Sequence, residues 1–417
     1  MSNLKELLRI PDFRRLWTAQ AISFFGDSLT IFGLLFLTQR LTGNAASVAG
    51  VLIAMSLPML VVGLGAGVWV DRLDRKRVMI WSDVIRAMLV PVFLLVRSAD
   101  QVWIIYVVAF LVASVSSFFS PARGALLPRI VGMDKLMAAN SITESSRVLF
   151  GVLGTAAAGL LVGLFDGFEV AFTIDALTFL ASAAMVAKIR TSGAIEAVDQ
   201  SPDKTSALSE FMAGMRVIGG SRLLTGMLVA AGITMFGLGA VNALLVPFVI
   251  GELELKETWF GLLEASQASS MILAGALAAV LAAKLKPTTV IPIALAVAGV
   301  VVGLFAGVSN VWQLGALLFV VGWFVTPLQA SFATIVQTET PPELLGRTGS
   351  ALNAAATASN VAAMAIAGGV AAVIGVRSVF VIGGVVVFIS ALVALLMVRG
   401  TKAATPAPTR DPQPELA

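Results

Sequence analysis

Apolar runs close to twenty residues long recur from one end of this chain to the other, broken by short polar stretches, and no other feature restricts the possible folds so strongly. A helix needs ~20 residues to cross ~30 Å of hydrocarbon, and it keeps every backbone N–H and C=O in internal bonds, as lipid demands. The runs predict twelve spanning helices over 15–39, 45–70, 78–97, 102–126, 140–165, 169–189, 222–250, 258–284, 289–308, 311–336, 347–374 and 377–398. Hydrophobic residues make up 58% of the 417 and charged ones 12%, whereas soluble domains hold roughly 45–50% apolar residues. An all-α membrane protein is expected.

Cys and His are both absent. That removes disulfides, thiolate nucleophiles, imidazole bases and the usual zinc ligands, so no catalytic residue, metal or cofactor is expected. No G-x-x-x-x-G-K-[ST] loop is present to bind a nucleotide, which excludes direct use of ATP.

The net charge of +4 reads as topology rather than as a nucleic-acid footprint. With twelve spans, the N-terminus, the mid-chain linker and the tail share a side with the second, fourth, eighth and tenth connections. That side holds 22 of the 28 Lys and Arg, and the opposite loops hold Arg40, Arg97, Lys256 and Arg377. Positive charge marks the cytoplasmic face, so both termini are expected inside, in a bacterial cytoplasmic (inner) membrane. The predicted units are a cytoplasmic segment 1–14, a six-helix bundle 15–189, a cytoplasmic linker 190–221, a second bundle 222–398 and a Pro-rich disordered tail 399–417. The apolar stretch after MSNLKELLRIPDFRR is too long for a signal-peptide core, so the first helix is expected to stay.

The two bundles read as copies. ISFFGD at 22–27 matches ITMFGL at 233–238, and SVAGVLIA at 47–54 matches TWFGLLEA at 258–265, both 211 residues apart. Pro121 pairs with Pro327 at 206, and Leu136 with Leu344 at 208. Parallel six-helix repeats related by an axis along the membrane normal place a binding site between the halves at the midplane.

The connection between the second and third helices reads GAGVWVDRLDRKRVMI, with Gly67, Asp71, Arg72, Arg75, Lys76 and Arg77 in register. It resembles the G-x-x-x-D-R-x-x-R-[KR] signature of the major facilitator superfamily. The resemblance implies a cytoplasmic gate in which Asp71 faces the start of a helix in the other half, with Arg347 of ETPPELLGRTG its natural partner. From FFGD through LTG, SLP and DRLDRKRV to SPARGALLP and AFTIDALTFL, the chain is similar to the drug-proton antiporter branch that includes macrolide efflux proteins, enterobactin exporters and lysophospholipid transporters. It departs from that branch in two places. Helix four carries no charge before Arg123, and helix five reads GVLGTAAAG without a proline, leaving Gly151, Gly154 and Gly159 for close packing.

An ionisable group at the bilayer centre costs roughly 2.5–3.5 kcal/mol, so each one needs a reason. Asp27 lies twelve residues past Arg15, about 18 Å along a helix, and its repeat counterpart is Leu238. That asymmetry points to proton or cation coupling, the alternative being polar glue between helices. Glu264, opposite Ile53 in the repeat, is the second candidate, or else reaches water near its helix end. Asp83 with Arg86 and Glu144 with Arg147 stand at i, i+3 and read as structural or gate pairs near cytoplasmic helix ends. Asp175 reads as an acid set against a helix dipole. Phe24, Asn242, Gln267, Gln329, Asn353 and Asn360 are candidates for the cavity wall or for bridging helices.

The resemblance implies a secondary active exporter working by alternating access, with a proton gradient driving lipophilic or amphiphilic compounds such as drugs, macrolides or siderophores outward. Its expected partners are membrane lipid, a small amphiphilic substrate and protons, with no nucleic acid, and a monomeric state. A lysophospholipid flippase or an uptake carrier of the same fold is the alternative, and a non-transporting membrane sensor the reading from another class.

Overall fold

The computed structural model describes residues 2–63, 69–70, 72–165, 168–194, 207–281, 286–341 and 344–399. Among them there are helices and no strands. Twelve long helices follow one another: α1 (Pro11–Thr42), α2 (Ala45–Val61), α3 (Arg75–Leu89), α4 (Val102–Val131), α5 (Met133–Phe165), α6 (Glu169–Ala187), α7 (Arg222–Val246), α8 (Trp259–Leu281), α9 (Pro287–Leu304), α10 (Val311–Glu339), α11 (Leu345–Ile374) and α12 (Val376–Arg399). Ten spans built on these are long and apolar enough to cross a membrane, and α2 is a shorter apolar helix. Helix starts and stops follow local chemistry. Asn44, Asp74, Ser221 and Asn310 accept backbone N–H bonds at the N-termini of α2, α3, α7 and α10, and Gly43 closes α1 in the left-handed conformation at φ 58°.

Several elements differ from the sequence expectation. α5 begins at Met133 rather than near 140, since Gly132 (φ 79°) turns the chain and allows a helix to restart at once. α3 tightens into a 3-10 segment, Val90–Leu95, where Pro91 removes a helical N–H. The linker contains a helix, Ala207–Gly220, that packs against the start of α11: a methyl group added at Gly214 would meet the Arg347 carbonyl oxygen at 2.4 Å. Gly67 and Asp71 of the signature lie outside the described residues.

The packing scheme is duplicated. In the first half α1 packs on α5 and α6, α3 on α4 and α6, and α2 on α4. Adding six to each number gives the second half's contacts: α7 on α11 and α12, α9 on α10 and α12, and α8 on α10. Between the halves, α2 meets α11 and α5 meets α8, a pair of contacts that the same exchange turns into one another. These seams need small residues. A methyl group at Gly159 would sit 2.5 Å from the Glu257 carbonyl oxygen, one at Gly261 2.6 Å from Ala156, and one at Gly368 2.5 Å from Ala46. All of these contacts lie near the end away from the linker.

Among the described residues, ion pairs tie that outer end. Arg97–Glu169 (2.7 Å) lies within the first half, Arg377–Glu252 (3.0 Å) within the second, and Arg40–Glu257 (2.7 Å) joins the two. At the linker end, the basic signature is tied to its own half. The Arg75 N–H donates to the Gly193 carbonyl, Lys76 Nζ to Ile189 and Arg129 to Ala194, while Asp12 accepts from the backbone of Arg190 and Thr191.

Candidate functional site

A cavity of about 1170 Å³ lies between the halves and extends toward the linker end, where Phe211, Gly346 and Arg347 border it. Most of its charged wall comes from the first half, with Arg347 added by the second. On α1, Ser23, Phe24, Asp27, Thr30 and Ile31 are spaced three and four residues apart and so share a face. On α6, Asp175, Thr178 and Ser182 form a polar stripe in an otherwise apolar helix, and α3 supplies Asp83 and Arg86.

Arg86, 3% exposed, is the hub. It binds Asp83 of its own helix directly and stands 3.7 Å from Asp27 Oδ1 on α1. Its guanidinium lies over the Phe179 ring, 4.1 Å from the centroid, which adds cation–π attraction in a dry setting. Asp83 is fully buried, and its second oxygen accepts from the Ser182 hydroxyl at 2.6 Å. Asp175, 1% exposed, accepts from Thr30 at 2.5 Å and from Thr178 at 3.1 Å. Asp27 differs from these two. It accepts only a long 3.5 Å bond from Ser23, and 37% of its side chain is open to the cavity. Gly26 makes the cluster possible, because a methyl group there would lie 2.3 Å from Asp175 Oδ1 and hold α1 away from α6. Three carboxyls thus share one guanidinium. One guanidinium cannot balance three ionised carboxylates.

Two sequence expectations change. Asp83 and Arg86 are not a pair near a helix end: α3 begins at Arg75, which puts Asp83 about 12 Å along the helix and next to Asp27. Asp175 is more than an acid set against a helix dipole, since six residues after the α6 start at Glu169 it is buried beside α1 and bonded to Thr30. Its signal in the sequence was the i, i+3, i+7 stripe with Thr178 and Ser182.

The remaining candidates scatter. Arg147 lines the cavity and holds Glu144 through its Nε at 2.9 Å, both side chains being exposed. Phe24 and Asn353 line the cavity too. Gln329 borders a second, smaller pocket inside the second half. Asn360 is pressed between α7 and α11, its Oδ1 within 2.6 Å of where a Gly239 side chain would begin. Asn242 is exposed. The Gln267 carbonyl accepts from Ser270 beside α10. Glu264 is half-buried on α8 and is not among the residues of the cavity wall.

Comparison with known proteins agrees with this fold. A major-facilitator family model described as transmembrane secretion effector matches residues 5–417. The multidrug efflux pump Tap of Mycolicibacterium fortuitum is 27% identical over 389 residues, covering 90% of this chain and 92% of its own. Macrolide efflux protein A of Streptococcus pyogenes is 27% identical over 342 residues, covering 80% and 83%. Among solved structures, a mutant of the nucleoside transporter NupG superposes with a TM-score of 0.75 at 13% identity, covering 93% of this chain and 99% of that one. At that identity the likeness concerns the fold alone.

Proposed function

Because the chain belongs to the major facilitator family of transmembrane secretion effectors, and is therefore a membrane transporter rather than an enzyme, we propose that it exports amphiphilic cations in exchange for protons. The observation that carries the proposal is Asp27, whose side chain is 37% exposed beside the cavity, whereas Asp175, which also borders it, is buried and bonded to Thr30 and Thr178, and Arg86 lies closer to Asp83 than to Asp27. A cationic headgroup arriving from the linker end meets an unbalanced carboxylate in low dielectric. A proton arriving from the other side neutralises the same group and releases the cation. Mutually exclusive occupancy of one carboxyl is all that antiport requires, provided the halves rock about the site.

The efflux relatives, Tap and macrolide efflux protein A, support the outward direction. The excess of Lys and Arg at the linker end supports a cytoplasmic linker and cytoplasmic termini, which makes the cavity's near end the intake side. The closed glycine seam and the Arg40–Glu257 pair at the opposite end fit an inward-facing carrier. The protein would act as a monomer in a bacterial cytoplasmic membrane, its two bundles being 15–189 and 222–398.

Proteoliposomes with an imposed pH gradient test the reading, with tetraphenylphosphonium as the cationic probe. Accumulation should be coupled to proton movement, and Asp27→Asn should abolish the coupling while leaving the protein folded. Unchanged proton-driven transport by Asp27→Asn would overturn the assignment.

A further inference from the structure

The second half contains a pocket of about 330 Å³ lined by α7, α9, α10, α11 and α12. Its wall is nearly all hydrocarbon. Gly226, Ala230, Ala231, Ala333, Ala356 and Ala394 open the space, and Thr234 spends its hydroxyl on the Ala230 carbonyl and on Ser390. That leaves Gln329 and Asn353 as its uncommitted polar neighbours, and Asn353 also lines the central cavity. The two spaces therefore meet at one side chain.

At the same level of the first half, described side chains occupy the corresponding space. There Phe13, Leu16 and Met79 are at most 1% exposed and fill the core with Leu126 and Leu127. α1 carries Phe13, Leu16 and Gln20 there, and its counterpart α7 carries Leu224, Met227 and Ala231 at the matching positions 211 residues on. Protein interiors pack as tightly as organic crystals, and voids larger than a water molecule are few. An apolar void offers water no partners and stays dry until an apolar guest enters. Pockets of ~300 Å³ and more with few polar groups are the size and character that small ligands use.

We propose that this pocket is a subsite for the hydrocarbon or aromatic part of the transported amphiphile, entered from the central cavity past Asn353. The inference rests on the reading of the chain as a carrier of amphiphiles. It divides recognition between the halves: the first supplies the charge at Asp27, and the second supplies the apolar surface. Chain length or ring size is then read in the second half, independently of the head.

The test is binding to the protein in lipid nanodiscs, corrected for partition into empty nanodiscs. One probe series is methyl-, butyl- and octyltriphenylphosphonium, and the other is the uncharged methyl-, butyl- and octyldiphenylphosphine oxides. Affinity should rise in both series by roughly fourfold for each methylene that enters the pocket, the factor set by ~0.8 kcal/mol per buried CH₂. Ala231→Leu on α7 and Ala356→Leu on α11 fill the pocket from different helices. Each should cut the octyl-to-methyl affinity ratio at least tenfold while the methyl compounds bind as before and the unfolding temperature holds. Ala356→Val, a smaller fill, should give an intermediate ratio even if a leucine is not tolerated. A ratio unchanged by the fills would overturn the subsite, as would wild-type protein that binds neither series. Asp27→Asn separates this proposal from the one it rests on. If that variant keeps full phosphonium affinity, the charge reading fails while the chain-length dependence still reports on the pocket.

Discussion

The two halves share one packing scheme and differ in what they bury. Gly26 of α1 lets Asp175 of α6 approach, and Gly237, 211 residues on, lets α12 approach in the same way, its added methyl group meeting Val387 and the Gly383 carbonyl instead of a carboxylate. Ser182 of α6 hydrogen-bonds Asp83, whereas Ser390, 208 residues on, bonds Thr234. Where the first half has Asp27, Asp83 and Arg86, the same 211-residue offset gives Leu238, Ala294 and Val297. Duplication thus preserved the backbone geometry, which depends on small residues at crossings, and left side-chain chemistry free to diverge. The first half became the electrostatic half and the second the apolar one.

The sharpest way to break this contrast is to remove the charge hub. Arg86→Met leaves Asp83, with no exposed surface, lacking its countercharge. Stripping one partner from a buried pair costs ~3–5 kcal/mol, so thermal unfolding in detergent should show the largest loss of any substitution discussed here. Arg86→Met combined with Asp83→Asn should recover most of it, since no lone charge remains. If the single and double variants unfold alike, the cluster is not electrostatically coupled.

The reverse experiment imports an acid into the apolar half. Leu238→Asp places a carboxyl at the counterpart of Asp27, with Val297 where Arg86 would be. Without a guanidinium nearby, the cost should be ~2.5–3.5 kcal/mol, the penalty for an ionisable residue deep in a span. Equilibrium unfolding measures it. A loss under ~1 kcal/mol would mean that the second half also hydrates or neutralises acids, and the division between the halves would not hold.

Fold and site were legible to different degrees in the sequence, for physical reasons. Twelve spans could be read because lipid requires helices and hydropathy has a fixed length scale, and the repeat was visible in ISFFGD and ITMFGL because helix crossings constrain residue size. Asp27 stood out as a lone acid with an apolar counterpart. Its companions were read incompletely. Asp83 and Arg86 read as a self-neutralising pair because i, i+3 spacing explains them locally, and nothing in one helix says that another helix brings Asp27 to 3.7 Å. Asp175 was read against its helix dipole although the helix start at 169 was placed correctly, since one helix does not show that Thr30 of α1 packs against it. The apolar pocket was invisible, because a void is a property of five helices together and alanines in a membrane helix look like ordinary packing.

The smallest expected effect concerns the seam that joins the halves. Among the described residues, Arg40–Glu257 bridges the halves at the outer end, and Arg97–Glu169 and Arg377–Glu252 serve as controls, one within each half. Arg40 is 39% exposed and Glu257 14%, so the pair contributes no more than ~1 kcal/mol to stability. That much suffices to shift an equilibrium between inward- and outward-facing states about fivefold. Spin labels at the linker end should report a two- to fivefold rise in the outward-open population for Arg40→Gln, and no change for Arg97→Gln or Arg377→Gln, which loosen one half without touching the seam. Equal shifts from all three would assign the effect to general loosening of the outer loops rather than to a contact between the halves.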